Sequence, residues 1–158
     1  MKDRNIKHSD NWATPKAFYD VLDKEFGFDF DPCPLQDGYI PLKQNGLIVE
    51  WGNMNFVNPP YSRLLKEAFI KKAVEFQRKG KYSVMLLPVS TSTKIFHSWI
   101  ITNATEIRFI HKRIKFCGTN TSGETTDTQC GMHDSMVVVF GKLSEEPIKI
   151  IPMKQTSS

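Results

Sequence analysis

The amino-acid sequence predicts a single α/β domain in which helices cover the faces of a β-sheet. Short apolar runs of strand length alternate with longer segments that have helical spacing, the pattern of a layered α/β fold. No internal repeat, low-complexity block or Gly/Ser linker marks a boundary, and 158 residues are enough for one hydrophobic core. We therefore expect one domain over residues 1–152, followed by a flexible C-terminal tail over 153–158.

The first half of the chain predicts a helix, two strands and an irregular connection. Thr14-Pro15 suits a helix start, and apolar residues follow at helical spacing until Gly27. Residues 28–31 alternate like a short strand that Pro32 and Pro34 end, and residues 35–53 contain several Gly and Pro. A second strand, 54–57, runs directly into Asn58-Pro59-Pro60-Tyr61.

The second half continues the alternation of helices and strands. The near-continuous apolar run 82–87, which Pro88 ends, is typical of a strand buried on both faces. Residues 117–134 are rich in Gly, Thr and Ser with almost no aliphatic residue, which predicts a long loop of functional or mobile character. The other predicted elements are helices over 64–79 and 94–101 and strands over 106–110, 136–140 and 148–151.

Composition narrows the class of protein. The longest apolar runs are far shorter than the roughly 18 residues of a membrane span, and residues 1–12 are too polar for a signal peptide. Three cysteines (33, 117 and 130) form an odd set without repeated spacing, which favours reduced thiols in a cytosol. The net charge of +4 weakly favours an anionic partner.

The turn Asn58-Pro59-Pro60-Tyr61 carries the most chemical information. It follows a strand, and open α/β sheets bind ligands at the carboxyl ends of their strands. The prolines fix the backbone, Asn58 adds an amide oxygen, and Tyr61 adds an aromatic face. Such a turn suits a planar ring with an exocyclic amine, because the acceptors take the N–H groups while the ring stacks. The alternative is that Pro-Pro only ends the strand and Tyr61 packs in the core.

This turn resembles the catalytic Asn/Asp-Pro-Pro-Tyr motif of amino-group methyltransferases that use S-adenosylmethionine. The wider pattern resembles the phage-type DNA N-6-adenine methyltransferases, the Dam-like family, over about residues 10–141. Several dispersed matches in one order are far less frequent by chance than one short motif. The matching segments are Trp12-Ala13-Thr14-Pro15, 28–33, 54–62, Met85-Leu86-Leu87-Pro88, Arg113-Ile114-Lys115-Phe116 and 137–140.

The resemblance implies methyl transfer to the 6-amino group of adenine in DNA, in a bacterial cytosol. Asn58 and the Pro59 carbonyl would accept both amine hydrogens, Pro60 would keep the turn rigid, and Tyr61 would stack on a flipped base. No metal is required. The implied fold is an abbreviated Rossmann-like methyltransferase sheet, mostly parallel, with an antiparallel strand near the C-terminus.

The resemblance also suggests binding residues. For S-adenosylmethionine they are Trp12, Thr14, Pro15, Asp31, Pro32 and Cys33; for DNA, double-stranded rather than single-stranded, they are Ser62, Lys112, Arg113 and Lys115. Asp31 would pair with the cofactor ammonium or ribose, whereas the alternative is a carboxyl that caps a turn. The basic cluster at 112–115 would contact phosphate, whereas the alternative is a charged strand edge.

Spacing limits the cofactor prediction. Asp31 and Asn58 are separated by 26 residues, too few for the two further βα units of a full methyltransferase sheet. Either the cofactor half is abbreviated, or the acidic residue usually found after the second strand is absent or replaced. We therefore expect at most one short segment, 47–51, between the cofactor turn and the catalytic turn.

Two other functions remain open from the sequence. The same motif occurs in methyltransferases that act on protein glutamine, and an RNA substrate would satisfy the same chemistry. A non-catalytic DNA-binding or anti-restriction module on this fold is the other possibility, and the shortened cofactor half supports it. A zinc site is not expected, because the candidate ligands lack paired spacing; they are His111, Cys117, Cys130 and His133.

Overall fold

A computed structural model describes residues 4–5, 12–34, 39–40, 45–60, 62–119, 125–130 and 133–156. The helices are α1 (Lys16–Phe26), α2 (Arg63–Arg78) and α3 (Ile101–Asn103), and a π-helical segment, Phe96–Ile100, leads into α3. The strands are β1 (Arg4–Asn5), β2 (Trp12–Ala13), β3 (Tyr39–Ile40), β4 (Met54–Val57), β5 (Tyr82–Pro88), β6 (Glu106–Ile110), β7 (Lys115–Thr119), β8 (Thr125–Cys130), β9 (Ser135–Phe140) and β10 (Lys149–Met153).

Five of these strands form the central sheet, in the order β10-β6-β9-β5-β4. β4 is parallel to β5 and β6 is parallel to β10, whereas β9 is antiparallel to both of its neighbours. Four strands therefore run in one direction, and β9 runs in the other, which agrees with the predicted mixed α/β sheet. The carboxyl ends of β4, β5, β6 and β10 consequently share one edge of the sheet, called the carboxyl edge below.

Helices cover both faces of this sheet, as the apolar run 82–87 predicted. Along β5, Val84 and Leu86 face the cluster beneath α1, and Met85 and Leu87 face the cluster beneath α2. All five residues from Ser83 to Leu87 are buried. Burial of both faces stabilises the strand at roughly 1.5–3 kcal/mol for each large apolar side chain. The carboxyl edge is thereby held on a rigid support.

Residues 28–31 form less sheet than predicted. Only Phe30 pairs, in a parallel bridge with Asn55 of β4. Pro32 cannot donate to a ladder, and the Asp29 carboxylate already accepts the N–H groups of Asn53 and Met54, so pairing does not extend. The segment 47–51 forms a turn and no strand. In the described part of the chain, the central sheet is thus extended beyond β4 only by this isolated bridge at Phe30.

The predicted long loop over 117–134 is wrong where the structure describes it. β7 and β8 form an antiparallel pair, and β7 also pairs with β2 to make a separate three-stranded sheet. The prediction gave weight to the missing aliphatic residues. Threonine is β-branched, however, and it favours an extended backbone even in a segment that has almost no aliphatic residue.

The C-terminal boundary also differs from the prediction. β10 extends through Met153, so the sheet includes the first residue of the predicted tail. Gln155 then hydrogen-bonds the turn that follows β6. The predicted helix over 94–101 is found as the π-helical segment and α3. Among the residues that the structure describes, no helix has the length and apolar character needed to cross a membrane.

Candidate active site

The predicted catalytic turn lies at the carboxyl edge, directly after β4. Val57 is the last residue of the strand, Asn58 is partly buried, and both Pro59 and Pro60 are buried. The Asn58 side chain donates a hydrogen bond from Nδ2 to Thr14 Oγ1 at 3.1 Å. This contact ties the Asn58 side chain to Thr14, whose hydroxyl can both accept and donate a hydrogen bond. Tyr61 lies outside the described residues.

Thr14 is held by the elements on either side of it. Trp12 and Ala13 form β2, which pairs antiparallel with Gly118 and Cys117 of β7. Helix α1 begins two residues after Thr14, and the Pro15 carbonyl accepts the Tyr19 N–H at 3.0 Å. The sequence assigned Thr14 to the cofactor. The structure places its hydroxyl against Asn58, 44 residues away in the chain.

Asp31 lies beside this turn, because the Phe30 bridge runs parallel to β4 and ends at the same edge. Its Oδ1 accepts the Cys33 N–H at 2.8 Å, which closes a tight Asx turn over Pro32. Burial raises the pKa of the Asp31 carboxyl to about 6, and the hydrogen bond from Cys33 only partly offsets this. The charged form of the Asp31 carboxyl is therefore poorly solvated.

The turn around Asp31 is packed on two sides. A Cβ on Gly46 would lie 2.0 Å from the Pro32 carbonyl oxygen, so only glycine fits there without movement of the backbone. On the other side, burial and then the negative charges of Asp23 and Asp31 raise the pKa of the Tyr19 hydroxyl. Tyr19 of α1 is therefore close enough to sense the Asp31 charge. The close approach of Gly46 to Pro32 holds the predicted cofactor turn beside β4.

The predicted DNA-binding residues Lys112, Arg113 and Lys115 line a cleft of about 590 Å³. Lys112 follows β6 at the carboxyl edge and has a φ of 65°, the one positive φ outside glycine among the described residues. Arg113 forms an ion pair with Asp134, with Nε and Oδ1 3.2 Å apart. Pro15 lines the same cleft, next to the residue that contacts Asn58. The other lining residues are His111, Lys154, Gln155 and Thr156.

Sequence reasoning did not find Lys154, Gln155 or Thr156, because it placed them in the tail. The apolar run that predicts β10 could have shown that they follow a strand at the carboxyl edge. Ser62, also predicted to bind DNA, immediately precedes α2, and its carbonyl accepts the Lys66 N–H at 2.9 Å. Within the described residues, no group of three or more His, Cys, Asp or Glu is placed to hold a metal ion.

The fold is therefore that of a mixed α/β protein. Its candidate active site combines a rigid turn of hydrogen-bond acceptors with a cation-lined cleft at one edge of the sheet. This combination suits an anionic substrate. A family model described as DNA N-6-adenine-methyltransferase (Dam) matches residues 3–158. The chain belongs to this DNA N-6-adenine-methyltransferase family. The match confirms the resemblance and the enzyme class predicted from the sequence.

Two curated relatives support the family assignment. A DNA N-6-adenine-methyltransferase of Haemophilus phage HP1 (strain HP1c1) is 34% identical over an alignment of 173 residues, which covers 98% of this chain and 96% of the relative. A DNA N-6-adenine-methyltransferase of Escherichia phage T1 is 31% identical over 95 residues, or 55% of this chain and 39% of the relative. No solved structure matches the chain significantly.

Proposed function

We propose that the protein transfers a methyl group from S-adenosylmethionine to the 6-amino group of adenine in DNA, in the cytoplasm of a bacterial host. The observation that carries this proposal is the Asn58-Pro59-Pro60 turn at the carboxyl edge, oriented by Thr14, in a chain of the Dam family. The sheet would be an abbreviated Rossmann-like methyltransferase sheet, with the one-residue bridge at Phe30 as the remnant of its cofactor half.

Asn58 would act on the target amine. The lone pair of an aromatic amine is delocalised into its ring, so the amine is a poor nucleophile. Asn58 Oδ1 and the Pro59 carbonyl would accept its two hydrogens, which localises the lone pair and orients the nitrogen. Thr14 supports this role, because the contact between its hydroxyl and Nδ2 holds the Asn58 side chain in place. Pro60 contributes a fixed φ, which limits the freedom of the turn.

Asp31 fits one part of the proposed methyl donor. When bound, S-adenosylmethionine supplies an electrophilic methyl group on a sulfonium sulfur. It also carries an ammonium group and two ribose hydroxyls, all of which can donate to a carboxylate. The poorly solvated Asp31 carboxyl would gain a partner from either group, and Pro32 and Cys33 would fix its direction through the Asx turn. Trp12 remains a proposed cofactor residue by resemblance alone.

The cleft beside the turn would receive the DNA backbone. The side chains of Lys112, Arg113 and Lys115 would contact phosphate. Ser62, which immediately precedes α2 beside the proposed catalytic turn, would approach the DNA strand. An adenine in a duplex is out of reach of the turn, so we propose that it flips out and stacks on Tyr61.

The test is methyl transfer from radiolabelled S-adenosylmethionine to methyl-free DNA, followed by digestion and identification of the labelled nucleoside. The variant is Asn58→Ala, and the matched control is Asn53→Ala, at the opposite end of β4. Asn53 is exposed and contributes backbone hydrogen bonds to Asp29 and Tyr82. We expect labelled 6-methyladenine from the wild type and from Asn53→Ala, and a loss of at least 100-fold in Asn58→Ala, on the order found for a key electrostatic donor or acceptor.

Other outcomes would change the assignment. Label on RNA or on protein, with none on DNA, would move the same chemistry to another substrate. Absence of both methyl transfer and S-adenosylmethionine binding would favour a non-catalytic DNA-binding module. Equal activity of Asn58→Ala and Asn53→Ala would refute the role of the Asn58 turn.

A further inference from the structure

The segment that follows β10 completes the cation-lined cleft at the carboxyl edge. Lys154 and Gln155 line it together with Lys112 and Lys115. No carboxylate is among the lining residues, and among the described residues none of these three lysines forms an ion pair. The three exposed ammonium groups give the cleft a positive potential that attracts anions. The cleft is therefore suited to an anionic ligand.

We propose that this cleft holds a backbone phosphate of the DNA substrate outside the target nucleotide, with Lys154 as a phosphate contact and Gln155 as a positioning residue. The proposal rests on the proposed function, because it takes DNA as the substrate. It adds a role for the segment after β10, to which the sequence analysis assigned no function.

The position of the cleft fits a neighbouring phosphate. Three strand spacings separate β4, which carries Asn58, from β6, which leads into Lys112. At about 4.8 Å for each spacing, the lateral distance is about 14 Å. The rise along the axis of a duplex is about 3.4 Å per nucleotide, so phosphates up to roughly four base steps from the target lie within this distance. The cleft extends back towards the turn through Pro15, so phosphates between the target and that distance are within its reach.

Gln155 holds the basic turn in its shape. Its side-chain Nε2 donates to the carbonyls of His111, Lys112 and Arg113, at 3.3, 3.1 and 3.4 Å. Lys112 between them has a φ of 65°, a left-handed conformation that costs a lysine about 1 kcal/mol or more. Such conformations persist only where the surroundings enforce them, and they cluster at functional sites. The amide of Gln155 supplies that enforcement and directs the turn into the cleft.

The experiment measures DNA affinity by fluorescence anisotropy between 50 and 200 mM salt, on the full chain. The variant is Lys154→Gln, and the matched control is Lys142→Gln, an exposed lysine after β9 at the opposite edge of the sheet. The slope of log K against log salt is negative, and loss of one phosphate contact reduces its magnitude by about 0.9. Between 50 and 200 mM salt, the affinity of the wild type should therefore fall by a factor about 3.5 times larger than the factor by which the affinity of Lys154→Gln falls. Lys142→Gln should match the wild type.

Two further variants separate the side chain from the backbone of the turn. Lys112→Asn removes the charge but introduces a residue that tolerates a positive φ. We therefore expect a smaller salt dependence of DNA affinity than in the wild type, with an unchanged melting temperature. Gln155→Ala keeps all charges but releases the turn. We expect a higher KM for DNA and an unchanged kcat at saturating DNA, whereas a general loss of structure would lower both kcat and the melting temperature.

Each other outcome overturns the proposal in a recognisable way. If the wild type methylates DNA but Lys154→Gln and Lys142→Gln both keep the wild-type salt slope, Lys154 makes no phosphate contact and this proposal is wrong, while the proposed methyl transfer stands. If the wild type neither binds nor methylates DNA, both proposals are wrong. If RNA of the same length shows the Lys154 effect and DNA does not, the cleft belongs to an RNA substrate.

Discussion

Replacement of Asp31 by asparagine should stabilise the fold and weaken binding at the proposed cofactor site. Burial raises the pKa of this carboxyl from 3.8 to about 6. At 1.36 kcal/mol for each pKa unit, the charged form therefore costs about 3 kcal/mol in the folded state. The asparagine side chain would be neutral at every pH, and its oxygen can still accept the Cys33 N–H. Asp31→Asn should thus gain up to about 3 kcal/mol of unfolding free energy above pH 7.

The pH dependence has a defined sign. The folded-state pKa lies above the unfolded one, so the wild-type carboxyl is best tolerated below pH 4, where it is protonated in both states. Its penalty then grows as the pH rises through about 4 to 6 and is complete above about 7. The advantage of Asp31→Asn should follow the same curve, from below about 1 kcal/mol at pH 4 to about 3 kcal/mol at pH 8.

The assay is urea unfolding of both proteins without cofactor, at several pH values from 4 to 8, with binding of S-adenosylmethionine measured by calorimetry at pH 8. The matched control is Asp29→Asn, two residues away. Asp29 is exposed and accepts the N–H groups of Asn53 and Met54 at 3.2 and 3.0 Å, so its replacement relieves no burial and should give no gain in stability.

Two results would refute this reasoning. A gain that is the same at pH 4 and pH 8 would show that ionisation of Asp31 is not its source. Lower stability of Asp31→Asn at pH 8 would show that the fold itself supplies a favourable partner for the carboxylate. Unchanged cofactor affinity together with the expected gain would confirm the burial and remove Asp31 from the cofactor site.

Three further predictions concern other contacts. Thr14→Val should lower kcat about tenfold, because the Asn58 amide, proposed to be catalytic, loses a hydrogen bond of about 1–1.5 kcal/mol, whereas Thr14→Ser should retain activity; equal loss in both would contradict a role of the hydroxyl. Arg108→Met should lower the urea-unfolding free energy by about 1.5–3 kcal/mol, since Glu106, 14% exposed, loses its hydrogen bonds from Arg108 and keeps only the ion pair with Lys149 at 3.8 Å; a change below about 1 kcal/mol would show that the pair behaves as a surface pair. Gly46→Ala should lower both the melting temperature and the affinity for S-adenosylmethionine, because its Cβ displaces the Pro32 carbonyl; an unchanged affinity would place the cofactor elsewhere.

Periodicity and punctuation in the sequence predicted most of the central sheet. The strand at 82–87 and its burial on both faces followed from a continuous apolar run that ends at Pro88. Prediction failed where the local pattern had two interpretations. Threonine-rich residues 125–130 read as a loop by their lack of aliphatic residues, and only their partner strand β7 determines that they are extended.

The candidate site divides in the same way. The sequence by itself determined the Asn58-Pro59-Pro60 turn after a strand, because strand, proline and amide are all properties of adjacent residues. Only the tertiary structure decided that Thr14 orients Asn58, and that the segment after β10 joins the turn after β6 in one cleft. Those contacts join residues about 40 or more positions apart. Their geometry depends on sheet order and strand direction, which arise from the packing of the whole chain and are not written in any local stretch of it.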